Sequence, residues 1–180
     1  MTKIHFLQFF QEDADRKGAQ QSLLDRLVDQ GQLKASDIVM ETHCMHPAFL
    51  QTQLDLSLKN LCLETLDLYY LHNPAETQLA LLGEDKFMHR LAKSFEFLER
   101  QISEKKIRNY GLATSLSFRA PIDDEGVHLS LMKVTELAEK VAGKGHGLRF
   151  VQVPINTIMF EAMWQESQAI SPDYIIRDVK

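Results

Sequence analysis

The chain has 180 residues, 44% of them hydrophobic, enough for one domain or part of a larger one and ample for a core. Its formal charge is −5, with Lys and Arg scattered, which argues against a general nucleic-acid or anionic-membrane surface but leaves room for an anionic cofactor. Two cysteines, Cys44 and Cys62, are too few for a disulfide framework and suggest a reducing compartment.

No stretch approaches the length of a membrane span. The start, MTKIHFLQFFQEDADRKG, has neither a signal-peptide core nor the acid-poor composition of a transit peptide. The expectation is a soluble, cytoplasmic protein. Residues 1 to 17 carry an apolar patch around Phe6 to Phe10 and then an acidic stretch, without a clear assignment. From Ala19 to Gln30 the pattern is helical, with Leu23, Leu24, Leu27 and Val28 in a stripe and Gly31 as the stop. DIVMETHCM, Asp37 to Met45, reads as a short strand before Pro47, which suits the first turn of a helix carrying Leu50, Leu54, Leu58 and Leu61.

LDLYYLHNP, Leu66 to Pro74, is the central strand. Both of its parities are largely apolar or aromatic, the pattern of a strand covered on both faces. Pro74 cannot donate to a ladder, so the strand ends near His72 or Asn73. PAETQLALLG then reads as a loop. A long helix follows from Glu84 to Lys105, with Phe87, Leu91, Phe95, Leu98 and Ile102 on one face. IRNYGLA, Ile107 to Ala113, is the next strand. Ser130 is an N-cap for a helix marked by Leu131, Val134, Leu137, Ala138 and Val141 and ended by Gly143. RFVQVP, Arg149 to Pro154, is a further strand, and the tail to Lys180 is poorly patterned. Strands alternate with helices and no consecutive hairpin signal intervenes, so the class is α/β with parallel strands.

Three strand ends then fall at one C-terminal edge, where parallel sheets and barrels carry their chemistry. They are His72, the Ala113–Thr114–Ser115 turn, and Gln152. An unpaired amide between Val151 and Val153 would be costly. The Gln152 carboxamide complements another carboxamide, such as that of nicotinamide, or bonds a neighbouring backbone. Other patterns carry less. His43, Cys44 and His46 lack a second ligand pair at a recognised spacing, so no metal site is expected. AGKGHG, Ala142 to Gly147, follows a helix and lacks the phosphate-loop spacing, so it reads as a glycine-rich stop. Asp123, Asp124 and Glu125 read as a solvated loop.

SLKNLCLETLDLYYLHNP resembles the aldo-keto reductase signature, a leucine-rich helix leading to a D-x-Y-x-x-H-x-P strand end. SFEFLERQISEKKIRNYGLATS resembles the family's next block, and VQVPIN resembles the strand that supplies its nicotinamide-contacting glutamine. The resemblance implies a (β/α)₈ barrel that reduces aldehydes or ketones with NADPH, NADH being the alternative. It makes His72 the histidine that orients the carbonyl, and Gln152 and Thr114 cofactor contacts. Ala113 takes the place of a hydrogen-bonding serine. The family's D-T-A-x-x-Y segment, source of its catalytic aspartate and tyrosine, has no counterpart here, and the nearest match to its T-K lysine is Thr42–His43.

A complete barrel needs roughly 250 residues, so the expectation is a partial TIM barrel of about four parallel strand–helix units. Its divisions are a helical segment over 1–36, the reductase-like part over 37–168 and a tail over 169–180. Partners implied are a small carbonyl substrate, no nucleic acid and no membrane, with self-association through open barrel edges. Two other readings stand beside the reductase: a non-catalytic binding or regulatory module on a half-barrel, and an incomplete gene product.

Overall fold

The structure, a computed structural model, describes residues 13–41, 43–159, 167–171 and 174–175. The apolar patch at Phe6 to Phe10 and Thr42 lie outside them. Helix α1 spans Asp13–Asp29, and two short strands, β1 (Ile38–Val39) and β2 (His43–Cys44), pair antiparallel. Helix α2 (Pro47–Leu61) leads into strand β3 (Leu66–His72). Helices α3 (Pro74–Leu82) and α4 (Glu84–Ser103) precede strand β4 (Ile107–Ala113). Helix α5 (Leu131–Ala142) precedes strand β5 (Leu148–Gln152), and β6 (Ala169–Ser171) pairs antiparallel with β7 (Tyr174–Ile175).

Strands β3, β4 and β5 form one parallel sheet in that order, with helical crossovers between them. A parallel three-stranded sheet with flanking helices is the arrangement of part of a (β/α) barrel. The sheet holds three strands among the described residues, not about four. Met40 and Glu41 take left-handed φ values of 48° and 65°, which turn the 37–45 segment back on itself as a hairpin instead of one strand.

The segment from Pro74 to Leu82 is likewise a helix and not a loop. Pro74 opens it at a position where the missing N–H costs nothing, and Gly83 closes it with φ 76°. Its Ala, Glu, Gln and Leu residues are all good helix formers. No helix of the described residues is long and apolar enough to cross a membrane.

The core lies on one side of the sheet. Tyr69 and Leu71 of β3 and Tyr110 and Leu112 of β4 are buried there with Phe87, Leu91, Phe95 and Leu98 of α4. Each such side chain contributes about 1.5–3 kcal/mol by leaving water. Phe95 and Tyr110 pack in a tilted arrangement, 5.1 Å between ring centroids and 50° between planes. From α2, Leu50, Leu54 and Leu58 join the same core, and Leu61 only packs at its margin. Val134 and Ala138 of α5 are buried, and the Ser130 side chain caps that helix by accepting from the Lys133 N–H at 3.3 Å. Gly143 ends it as expected.

The other face of the sheet differs from the expectation of a strand covered on both sides. Leu68, Tyr70 and His72 are only half-buried, and Phe150 beside them is exposed. The two faces of the strands are therefore unequal, helices covering one and not the other among the described residues.

Candidate functional site

Parallel pairing sets His72 opposite Ala113, and Ala113 opposite Gln152. Partners in a ladder share a face, so these three positions form one row at the C-terminal edge, on the half-buried side. Two main-chain hydrogen bonds extend the row beyond the strands. The Asn73 N–H donates to the Ala113 carbonyl at 2.7 Å, and the Thr114 N–H donates to the Gln152 carbonyl at 2.9 Å. All three candidate residues, His72, Thr114 and Gln152, thus lie at the same edge on adjacent strands.

The turns behind them are locked by α3. Asn73 has a left-handed backbone, φ 46° and ψ 44°, which asparagine tolerates better than most residues. Its Oδ1 accepts from the Ser115 N–H at 2.9 Å and from the Ser115 hydroxyl at 3.0 Å. Glu76 Oε1 accepts from the Leu116 N–H at 2.8 Å and the Ser117 N–H at 3.0 Å. Arg119 Nε closes the turn by donating to the Ser115 carbonyl at 3.1 Å. Residues 73 and 76 therefore hold the loop after β4 against the end of β3. Sequence reasoning missed both, although Asn, Pro and a Glu three residues later is a helix-start pattern. Here the Glu76 carboxylate reaches the next loop and not its own helix start.

Two features suit the site to a carboxamide ligand. The Thr114 hydroxyl is buried and has no hydrogen-bond partner among the described residues, and a buried orphan of that kind costs about 1–3 kcal/mol. Gln152 is half-buried, and its side-chain amide makes no hydrogen bond to another described residue. One nicotinamide carboxamide offers two donors and an acceptor, which complement both groups. Ala113, in register between His72 and Gln152, offers no side-chain hydrogen bond. The phosphate-loop look-alike at Ala142 to Gly147 is a helix end followed by a single 3₁₀ turn over Gly143–Gly145. Among the described residues, no group of three His, Cys, Asp or Glu is placed to hold a metal ion.

His43 does not end a strand of the parallel sheet. It lies in the β1–β2 hairpin, and its Nδ1 sits 3.1 Å from the Thr77 hydroxyl. That hydroxyl itself donates to the Asn73 carbonyl at 2.9 Å, which assigns the proton of the pair to His43 Nδ1. His43 thus supports the first turns of α3, just behind the His72 edge. Cys44 beside it is buried, and burial pushes its thiol up to about 11, so it is an inert apolar group at neutral pH.

Burial holds the His72 imidazole below the usual histidine range, and the Glu76 carboxylate opposes that shift. The ring is therefore neutral at neutral pH, with one N–H donor and one acceptor. The sign of the linkage follows. Stability from His72 is fully present above the ordinary value of about 6.5 and is lost as the pH falls through the depressed one. An NMR titration of the His72 ring should give a midpoint below about 6.5. Glu76→Gln keeps an acceptor oxygen for the 116 and 117 N–H groups but removes the charge, so it should lower that midpoint further. A midpoint raised by the substitution would contradict the electrostatic assignment.

No family model and no curated protein matches the chain. Solved structures do. The glycerol dehydrogenase of Gluconobacter oxydans is 23% identical at a TM-score of 0.41, over 62% of this chain and 25% of its own. The aldose reductase of Schistosoma japonicum is 15% identical at 0.39, over 78% of this chain and 45% of its own. An aldo-keto reductase of the silkworm Bombyx mori is 13% identical at 0.37, over 78% of this chain and 38% of its own, and one structure of it is complexed with NADPH. These solved structures are aldo-keto reductases, and the chain spans between 25% and 45% of their length.

Proposed function

We propose that this chain carries the nicotinamide-binding and carbonyl-orienting half of an NADPH-dependent carbonyl reductase site. The observation that supports the reading is the row formed by His72, Ala113 and Gln152, with the orphaned Thr114 hydroxyl beside it. Bound NADPH would supply the hydride. The remaining work belongs to the chain. Gln152 and Thr114 hold the carboxamide and so fix which face of the nicotinamide ring is presented. His72 donates its N–H to the substrate oxygen, where negative charge develops as hydride adds to the carbonyl carbon. A neutral imidazole suits this orienting task, because it stabilises the oxygen without having to give up a proton.

The loops locked by Asn73 and Glu76 serve the same end. Positioning matters in such a site because a displacement of about 1 Å costs on the order of 100-fold in rate. The substrate is a small aldehyde or ketone, and the product alkoxide takes its proton from solvent water, because His72 keeps its own.

A second reading, a non-catalytic binding module, is favoured by Ala113 and by His43, which is engaged with Thr77 instead of standing as a lysine would. Both readings are tested together. The chain is titrated calorimetrically with NADPH, then given NADPH and a reactive aldehyde while cofactor absorbance is followed. Gln152→Leu is expected to weaken NADPH binding about tenfold, the equivalent of about 1.4 kcal/mol. Binding with turnover supports the reductase, and binding without turnover favours the module. Absence of binding overturns both.

A further inference from the structure

A second constellation lies apart from the strand-end row, where the 34–37 turn, the start of α2 and the middle of α4 meet. A cavity of about 230 Å³ opens there, lined by Lys34, His46, His89, Arg90 and Lys93 with one carboxylate, Asp37. Three cations against one carboxylate is a concentration of positive charge in a chain whose formal charge is −5. Asp37 Oδ2 accepts from the Lys34 backbone N–H at 2.9 Å, an uncharged donor, so its charge stays at the wall and the three cations exceed it by two. None of the three cations is ion-paired with a carboxylate among the described residues.

Arg90 is fixed without being neutralised. Its guanidinium donates to the Ser36 and Asp37 carbonyls and, at 3.1 Å, to Gln78 Oε1. All three acceptors are uncharged, so the full positive charge is held at the wall of the cavity by a rigid mount, with two of its five donors left over. His46 is oriented too. Its Nδ1 accepts the Ala48 N–H at 3.3 Å as the N-cap of α2, which leaves Nε2 as the protonated nitrogen. The positive end of the 15-residue helix α2 faces the same place.

We propose that this cavity binds a phosphate dianion, either free or as a phosphomonoester. Three cations suit a doubly charged ligand that accepts several charge-assisted hydrogen bonds, and a planar Arg fork fits two phosphate oxygens at once. Size separates the candidates. Pockets for drug-sized ligands begin at roughly 300 Å³, and at about 230 Å³ this cavity is matched by a phosphoryl group. The site includes none of His72, Thr114 or Gln152, and it stands whether or not the nicotinamide reading holds.

The test uses the ¹⁵N-labelled full chain in physiological chloride, titrated separately with inorganic phosphate and with methyl phosphate. Saturable shifts are expected at the backbone amides of 34–37, 46–48 and 89–93, and the tighter of the two ligands identifies the source. Lys34 and Lys93 are both exposed, so Lys34→Gln with Lys93→Gln should keep the wild-type fold and weaken binding at least tenfold. Lys34→Arg with Lys93→Arg should retain it. Arg90 stays unchanged because it anchors the 36–37 turn. Unsaturable shifts scattered over surface lysines, or full affinity in the folded double Gln variant, would overturn the proposal.

Discussion

Gly111→Ala should lower the stability of the chain by about 3 kcal/mol, the upper end of what overpacking costs. Gly111 sits in the middle strand of the parallel sheet, in register with Tyr70 and Phe150. A Cβ there would lie 2.4 Å from the Phe150 carbonyl oxygen, 2.7 Å from Tyr70 Cε1 and 3.0 Å from Phe150 Cβ. The tyrosine ring could turn aside, but the Phe150 carbonyl is main chain of the adjacent strand. Strand β5 itself would have to move, and it carries Gln152 two residues on. For a chain of this size the melting temperature should fall by about 6–12 °C, and NADPH affinity should fall with it. Gly126→Ala is the control: its Cβ meets nothing within 4 Å, so its effect should stay within about 0.5 kcal/mol. Thermal melts of the two variants decide. Equal melting temperatures would contradict the close strand packing described above.

Glu99→Leu should cost about 2–6 kcal/mol, because it strands two buried donors at about 1–3 kcal/mol each. Glu99 Oε1 accepts both the Tyr110 hydroxyl at 2.9 Å and the Gly147 N–H at 2.7 Å. Tyr110 is wholly buried, and its phenol is pushed above the ordinary tyrosine range by burial first and by Glu99 second. One carboxylate oxygen therefore ties α4 to β4 and to the turn that opens β5. Glu99→Gln keeps an acceptor in place and should cost less than half as much. Adding Tyr110→Phe to the Leu variant removes one of the stranded donors, so the two changes together should cost less than the sum of each alone. Urea unfolding of the four proteins measures that cycle. Strict additivity would mean the hydroxyl and the carboxylate do not act as a pair.

Much of the fold is legible in the residues themselves. The strand 66–72 and the strand 107–113 follow from leucine and tyrosine positions, with Ile107, bounded by Pro74 and by the charged end of the long helix. The stripe of Phe87, Leu91, Phe95 and Leu98 is core because it repeats at helical spacing, a local property. The shared edge of His72, Thr114 and Gln152 is legible too, since parallel crossovers bring successive strand ends together. Elements that depend on unusual backbone or on distant partners were not. The 38–44 hairpin rests on left-handed Met40 and Glu41, residue types that carry no signal for that conformation. Helix α3 was obscured because Asn73–Pro74 reads equally as a turn and as a helix start.

Glu76 and Glu99 are ordinary helix-surface acids by pattern. Their roles arise only when backbone N–H groups forty or more positions away meet them. Gly111 is similar, an unremarked strand glycine until Tyr70 and Phe150 close over it. The uneven faces of β3 were hidden for the same reason: alternation shows which residues share a face, and not what covers it.

The central claim is that His72, Thr114 and Gln152 act together on a nicotinamide and a carbonyl at one strand edge. It is tested most directly by titrating the ¹⁵N-labelled chain with NADPH and reading the Gln152 side-chain amide, the Thr114 backbone amide and the His72 ring. The three signals should move together and saturate at one dissociation constant, and an oxidised cofactor analogue lacking the carboxamide should compete poorly and leave them displaced. NADPH that binds while these three signals stay still, or that moves signals elsewhere on the chain, would contradict it.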